Sequence, residues 1–401
     1  MHNRSLTAVT ALLVAAALSL TACGTDSGGA GNTVVTIGVD VPMTGDVAGL
    51  GLGLRNAVDL AVRQANKTNE VPGITFRMKA WDDEARPDLG RKNAGEIVAD
   101  EDVIGVVGPL NSSVAEKTQD VFADAGMVQV SINRNTALSQ GKNWAKGEKV
   151  RPYKTYFRTA TTDAVQGPFA AWYLYDEGRK RKVFVVDDGK AYGASLAMSF
   201  TEEFKEIGGQ VVGTAKVNPN AKDFSSAVAK IVTSGADAVY FGGEYPVAGP
   251  LSKQMEQAGV SAPLVSGDAV YSDEYIRLAG AASEGDLVTS VGAPVEDLTF
   301  AKDFIEDYEE AGYGEPYGVF GGFGYDCAWA IIQAVKAVAD GGELPSGARA
   351  KVTEAMQDVS FFGVMGTVAF DEYGDTTNKQ LTVFEVVDGA WKSRRTGTYD
   401  G

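Results

Sequence analysis

The amino-acid sequence predicts an α/β fold made of two similar halves, each a doubly wound parallel sheet. Short runs of β-branched residues alternate with amphipathic helical stretches from residue 34 onward, which is the pattern of parallel strands joined by helices. The alternation breaks at a polar, basic loop over 140–154 and then begins again. The chain therefore contains two α/β units of comparable length.

The elements follow in order from this alternation. In the first half we predict strands at 34–40, 74–81, 103–108 and 127–131 and helices at 54–66, 88–100 and 112–125. In the second half we predict strands at 183–187, 210–216, 236–241 and 263–266 and helices at 192–207, 224–233, 247–258 and 273–278. The remainder has helices at 297–311, 323–339 and 348–356 and strands at 366–370 and 381–387. It is too helix-rich for a third sheet, so it should complete the first two.

Composition excludes several functions. The only histidine is His2, inside a predicted export signal. Without imidazole, the serine and cysteine triads, histidine general bases and most zinc, copper and iron sites are excluded. The net charge of −17 disfavours binding to nucleic acid and to anionic lipid headgroups. We expect no enzyme activity, no cofactor and no metal.

The N-terminus has the features of an export signal. Arg4 precedes an apolar run over 6–20 and small residues before Cys23. This end resembles the lipobox of bacterial lipoproteins, which implies a signal peptide over 1–22 and a lipid on Cys23, followed by a flexible tether over 23–33. The alternative is a membrane-spanning anchor, but the run is shorter than the roughly 20 residues that a span needs. We expect an extracytoplasmic protein anchored to the cell membrane by lipid.

Donor-rich segments follow two successive predicted strands of the first half. Ser112 and Ser113 open a helix, where hydroxyls and free backbone N–H groups suit a carboxylate. An ordinary helix cap is the alternative. Asn133, Arg134 and Asn135 follow the next strand, and they indicate either a site for an anionic or amide ligand or a solvated turn.

The second half places two further candidates after strands. Tyr192 starts a helix after one strand, and Asp268 follows another, where its carboxylate could pair with an ammonium group or cap a helix.

In the first half, Gly49, Gly51 and Gly53 lack the Gly-x-Gly-x-x-Gly spacing of a dinucleotide site, so we interpret them as a close-approach loop.

A series of short motifs then indicates a family. They include Pro42-Met43-Thr44-Gly45, Asp82-Asp83, Val107-Gly108-Pro109-Leu110-Asn111-Ser112-Ser113, Phe157-Arg158-Thr159, Asp163 with Gln166-Gly167-Pro168, Tyr192-Gly193, Lys222-Asp223-Phe224, Ser283-Glu284-Gly285 and Tyr325-Asp326-Cys327-Ala328. By their order and spacing, the chain resembles the substrate-binding lipoproteins of branched-chain amino acid ABC importers, the leucine/isoleucine/valine-binding family with the type I periplasmic binding protein fold.

The resemblance implies two lobes joined by a three-segment hinge, with crossings near Thr159, Thr289 and Phe384. The N-terminal lobe would comprise 34–159 plus 290–383, and the C-terminal lobe 160–289 plus 384–401.

The resemblance also implies a ligand site in the interlobe cleft. The positions of Ser112, Asn133 and Asn135 would receive the α-carboxylate and ammonium of an amino acid, Tyr192 would cover it, and Asp268 would pair with the ammonium. The side-chain pocket would be lined by Leu50, Leu110, Glu244 and Phe320.

Two residues depart from the family pattern. Arg134 stands where relatives commonly have alanine; inside the cleft it would fill the space of a leucine side chain or recruit a second anionic group, and otherwise it would point outward. Glu244 stands where relatives often have an aromatic residue, which makes the pocket more polar.

We therefore predict a monomeric solute-binding protein that captures an amino acid, branched-chain or a related polar or amide-type solute, and delivers it to an ABC permease and its ATPase subunits. A ligand-sensing receptor component would use the same cleft. A carboxylate-based hydrolase is a further alternative, although no single acidic pair is marked out.

Overall fold

The computed structural model describes residues 32–399, so the predicted signal peptide, Cys23 and nearly all of the predicted tether lie outside the described residues. The strands are β1 (Thr33–Val41), β2 (Ile74–Asp82), β3 (Val103–Val107), β4 (Val128–Ser131), β5 (Tyr156–Arg158), β6 (Lys182–Asp187), β7 (Gln210–Lys216), β8 (Ala238–Gly242), β9 (Leu264–Ser266), β10 (Leu287–Val291), β11 (Ser360–Gly363), β12 (Gly366–Ala369), β13 (Gln380–Val387) and β14 (Ala390–Thr398). The helices are α1 (Ala48–Lys67), α2 (Pro87–Ala99), α3 (Ser112–Asp124), α4 (Ala137–Gln140), α5 (Asp163–Trp172), α6 (Ala191–Glu206), α7 (Ser225–Ser234), α8 (Tyr245–Gln257), α9 (Asp273–Ala279), α10 (Lys302–Glu310), α11 (Gly321–Val338) and α12 (Ala348–Met356).

The first sheet has the strand order β2-β1-β3-β4-β5 and is parallel throughout. The last seven residues of β1 are buried, as expected for a strand covered by helices on both faces. Helix α1 buries Leu50, Leu54, Val58 and Ala61, a spacing of three to four residues that forms one apolar stripe. The alternation in the sequence therefore corresponds to a doubly wound sheet.

The second sheet has the order β14-β13-β10-β9-β8-β6-β7. Strands β6 to β10 run parallel, whereas β13 pairs antiparallel with β10 and β14 antiparallel with β13. The sheet is thus parallel except at this edge, where the chain returns from the last helices in the opposite direction. The α/β class and the two doubly wound sheets are confirmed.

The glycine run is in a helix and not in a loop. Helix α1 begins at Ala48, so Gly49, Gly51 and Gly53 lie in its first turns. A Cβ on Gly51 would lie 2.0 Å from the carbonyl oxygen of Pro42, and one on Gly53 would lie 2.5 Å from that of Tyr317. The close approach of neighbouring backbone is present, but it comes from the packing of a helix and not from a loop.

Six elements are absent from the sequence prediction, namely strands β5, β10, β11 and β14 and helices α4 and α5. Helix α5 contains Gly167 and Pro168, which weaken a helical pattern. Strand β14 is mostly exposed and polar because it is the edge of its sheet. Strand β11 forms a short hairpin with β12.

The predicted lobe boundaries stay a prediction, but two of them fall inside strands. Thr289 lies within β10 and Phe384 within β13, and both strands belong to the second sheet. The connections between the two sheets therefore follow β5, follow β10 and precede β13.

Within residues 32–399, no helix is long and apolar enough to cross a membrane. Cys327 is a free thiol buried on α11, and burial raises its pKa to about 12.

Candidate functional site

The loops at the carboxyl ends of the two sheets meet each other. Asn111, after β3, donates from Nδ2 to Glu244 Oε1, after β8, at 2.6 Å. Arg134, after β4, pairs with Asp268, after β9. In parallel α/β sheets, ligands bind at this end of the strands. The two sheets therefore enclose a cleft lined by polar loops, which is the candidate site.

Asn133 fixes the two loops of the first sheet to each other. Its Oδ1 accepts from Ser112 Oγ at 3.2 Å and from the backbone N–H of Asn135 at 2.9 Å, and its Nδ2 donates to the Leu110 carbonyl at 2.8 Å. Asn133 is only 1 % exposed. Its amide oxygen is thus engaged within the loops, so the side chain sets the position of Ser112 and the start of α3.

Arg134 points into the cleft and not outward. Its side chain is 3 % exposed, and its Nη2 lies 3.0 Å from Asp268 Oδ1. Its Nη1 donates to the Ile132 carbonyl at 3.0 Å. The guanidinium lies over the rings of Tyr192 and Phe320, 4.7 and 4.9 Å from their centroids. A planar cation between two aromatic faces and a carboxylate is held on three sides.

Asp268 and Tyr192 complete this cluster. The hydroxyl of Tyr192 donates to Asp268 Oδ1 at 2.9 Å. Burial raises the pKa of Asp268 above its ordinary value, against the opposing charge of Arg134 and the hydrogen bond from Tyr192. Burial also raises the pKa of the Tyr192 hydroxyl well above its usual value, so it stays a donor. Asp268 thus pairs with a cation of the chain itself, and its pairing with a ligand ammonium stays a prediction.

A second charged cluster crosses the cleft at Glu244. This residue is 4 % exposed and takes a hydrogen bond from Asn111, while its Oε2 lies 2.6 Å from Lys190 Nζ. Burial lowers the pKa of Lys190, but the negative charge of Glu244 and the hydrogen bond to it raise the pKa by more, so it ends above its ordinary value. Glu244 is therefore balanced by one cation and one amide, and the cluster joins the loops of both sheets.

The predicted apolar lining is buried beside these clusters. Leu50, Leu110 and Phe320 are 6 %, 3 % and 1 % exposed, which places them away from bulk water. Ser113 is half-buried at the start of α3. Asn135 Oδ1 accepts from the Ala137 N–H at 3.0 Å, and its Nδ2 donates to the Ala191 carbonyl at 3.5 Å.

Arg158 supports the Asn133–Asn135 loop from behind. Its guanidinium donates to the carbonyl of Asn133 at 2.6 Å and to that of Asn135 at 3.1 Å, and its Nε lies 2.6 Å from Asp375 Oδ1. Both ion-pair partners are buried. This residue positions the loop without reaching the cleft surface itself.

Sequence reasoning did not assign a role to several of these residues. Asn111, Arg158 and Asp163 entered only as marks of the resemblance, and Lys190 was not singled out. Asp163 opens α5, and burial raises the pKa of its carboxyl to about 7 against the opposing effect of the Arg134 charge. For Asn111 and Lys190 the available signal was position, because each lies three residues after a predicted strand; Arg158 and Asp163 had no such signal, because no strand was predicted before them.

Two facing α/β sheets with buried, paired charges at their carboxyl ends define a protein that binds a small molecule between its halves. Comparison with known proteins agrees. The family model described as periplasmic binding protein matches residues 34–390. The leucine-, isoleucine-, valine-, threonine- and alanine-binding protein of Pseudomonas aeruginosa is 30% identical over 351 residues, which cover 88% of this chain and 89% of that protein.

Solved structures share the fold. A leucine-binding protein of Thermotoga maritima has a TM-score of 0.81 at 24% identity, over 91% of this chain and 99% of that one. A branched-chain amino acid transporter substrate-binding protein of Streptococcus pneumoniae, in complex with isoleucine, has a TM-score of 0.78 at 22% identity, over 92% and 99%. The chain belongs to the periplasmic binding protein family. It is a binding protein of the extracytoplasmic space and not an enzyme.

Proposed function

We propose that the chain captures a small solute, an amino acid or a close relative of one, between its two sheets and delivers it to an ABC permease. The name of the Pseudomonas aeruginosa relative supports this solute class. The observation on which the proposal chiefly rests is the meeting of loops from both sheets, with Asn111 on Glu244 at 2.6 Å and Arg134 on Asp268 at 3.0 Å.

Closure of the two lobes is the step that such contacts imply. Each polar contact joins a loop of the first sheet to a loop of the second, and the Tyr245 hydroxyl adds another by donating to the Asp46 carbonyl at 2.5 Å. A solute that touches both sets of loops binds the closed form better than the open form, so it shifts the population toward closure.

Two measurements test this proposal. Protein stripped of ligand in denaturant and refolded is screened by thermal unfolding against the standard amino acids, their 2-oxo acids, small amides and aromatic carboxylates. A solute at 100 times its Kd should stabilise the fold by about 2.7 kcal/mol. Small-angle X-ray scattering should then show a smaller radius of gyration with the same solute. No stabilisation by any member of the panel would contradict the proposal.

We also propose that a lipid on Cys23 anchors the mature chain. Support comes from the apolar run and the small residues before Cys23 in the sequence. A Cys23→Ala variant should lose fatty-acid labelling and leave the membrane fraction. Equal labelling of the variant would contradict the anchor while leaving solute binding untouched.

A further inference from the structure

The buried carboxyl of Asp163, at the start of α5, has no hydrogen-bond partner. The side chain is 0 % exposed, and within residues 32–399 neither of its oxygens accepts a hydrogen bond. An acid at a helix start ordinarily caps the free backbone N–H groups. Here the N–H groups of Val165 and Gln166 donate instead to the carbonyl of Thr162, at 2.9 and 3.0 Å. Asp163 therefore does not cap its helix, although a buried polar group ordinarily has a partner.

Asp163 lies in the candidate site beside Arg134. Its backbone N–H donates to the Arg134 carbonyl at 2.8 Å, and its carboxyl is close enough to Arg134 and Asp268 for both charges to act on it. The charged and titratable groups that face Asp163 from the surrounding elements are those of Arg134, Arg158, Tyr192, Tyr240 and Asp268. A group of the solute that reaches the Arg134 loop therefore also comes near Asp163.

The charges around Asp163 do not balance. Arg158 pairs with Asp375 at 2.6 Å, and Arg134 pairs with Asp268 at 3.0 Å. Each guanidinium thus has a carboxylate of its own, and within residues 32–399 Asp163 is the carboxylate of this group that has no cation. Burial raises its pKa to about 7, so about half of the Asp163 carboxyls carry a proton at neutral pH.

Other polar atoms without a partner adjoin this carboxyl. Within residues 32–399, Asp268 Oδ2 has none, and neither has the Tyr240 hydroxyl, which is 0 % exposed and lies near both acids. The hydroxyl of Ser195, near Asp163, is in the same condition. Arg134 Nε is an unpartnered N–H donor, set against three unpartnered carboxylate oxygens. The excess is thus in acceptors and in negative charge, which matches a primary ammonium group with its three donors and one positive charge.

We propose that Asp163 receives a primary ammonium group of the solute while Asp268 stays on Arg134, and that Asp163 releases its proton to the solvent as this group binds. The proposal rests on the proposed function, because it assigns one residue of the same cleft to one group of the solute. Before capture the proton neutralises the buried carboxyl, and after capture the ammonium does so. A solute of the same shape without an ammonium leaves this carboxyl unsatisfied, which disfavours its binding.

Isothermal titration measures the proton release directly. Wild-type protein is titrated with the standard amino acids in two buffers of different ionisation enthalpy, and the tightest binder is followed from about pH 6 to about pH 8. Since Asp163 titrates near pH 7, about 0.9 proton per solute should leave at about pH 6 and about 0.1 at about pH 8. The same amino acid without its ammonium, which for L-leucine is 4-methylpentanoate, should bind about 30-fold or more weakly.

One variant and a matched control locate the proton. Asp163→Asn keeps the shape of the neutral side chain, and it should weaken amino-acid binding about 30-fold or more and abolish the release. The control is Asp286→Asn, at the amino ends of β9 and β10. The Asp286 carboxyl is also buried with its pKa raised to about 7, but it accepts from Ser252 Oγ at 2.7 Å and from the Leu264 N–H at 2.6 Å. The control should change neither quantity.

Proton release that persists unchanged in Asp163→Asn would overturn the inference and leave the proposed function intact. Wild-type protein that binds the amino acid and its deaminated analogue equally well, or that is stabilised only by solutes without an ammonium, would do the same. If Asp163→Asn does not fold, the wild-type release and the matched pair of solutes decide. Silence toward every solute of the wider panel would overturn the proposed function, and the inference with it.

Discussion

Replacement of Asp375 by alanine should destabilise the protein more than loss of any surface ion pair. Asp375 Oδ1 lies 2.6 Å from Nε of Arg158, a side chain that is 0 % exposed, and its Oδ2 accepts from Ser139 at 3.0 Å and Gln140 at 2.7 Å. In Asp375→Ala the guanidinium stays buried without a carboxylate. Removal of one partner from a buried pair costs about 3–5 kcal/mol of unfolding free energy.

The matched control is Glu385→Ala. Its carboxylate pairs with Arg394 at 2.7 Å, but the two side chains are 42% and 31% exposed. A surface pair of this kind contributes about 0–1 kcal/mol. Urea unfolding followed by tryptophan fluorescence gives both values. The reasoning would be refuted if the free energy of unfolding fell no further in Asp375→Ala than in Glu385→Ala.

Three further outcomes are expected. Gly53→Ala should destabilise the chain by about 1–3 kcal/mol because the new Cβ has no room. Gly95→Ala, at an open position on α2, should instead stabilise it by up to about 1 kcal/mol. Urea denaturation in which the free energy of unfolding changes in the same direction for both variants would contradict this reasoning. Glu244→Gln should weaken solute binding by roughly tenfold, since Lys190 loses its partner at 2.6 Å; unchanged titrations would remove it from the closed site. Burial raises the pKa of Asp163 to about 7, so between about pH 4 and pH 7 the folded chain holds a proton that the unfolded chain has lost, and the free energy of unfolding should fall as the pH rises through this window. Asp163→Asn should flatten this pH dependence in urea titrations. An equal slope in the variant and the wild type would refute the assignment.

The fold could be predicted because helix and strand periods alternate so regularly in this chain. The elements that escaped prediction carry weak signals for physical reasons. Strand β14 is an exposed edge strand with few apolar residues, and α5 contains Pro168. The start of α1 was placed too late because Gly49, Gly51 and Gly53 lower helix propensity, although close packing against Pro42 and Tyr317 requires them.

The candidate site could be predicted to the level of its loops but not of its pairs. Ser112, Asn133, Arg134 and Asp268 could be named because each follows a strand. Which of them would meet could not be read from the sequence, since Arg134 and Asp268 come together only when the two sheets face each other. The two orientations of Arg134 were both open for the same reason: its partner lies in the other half of the chain.

The most direct measurement is a crystal structure of the refolded protein with the solute that stabilises it most in the thermal screen. The predicted result has the solute between the two sheets, in contact with the loops after β3 and β4 on one side and with those after β8 and β9 on the other. A structure with the solute outside this cleft, or in contact with the loops of one sheet alone, would contradict the account.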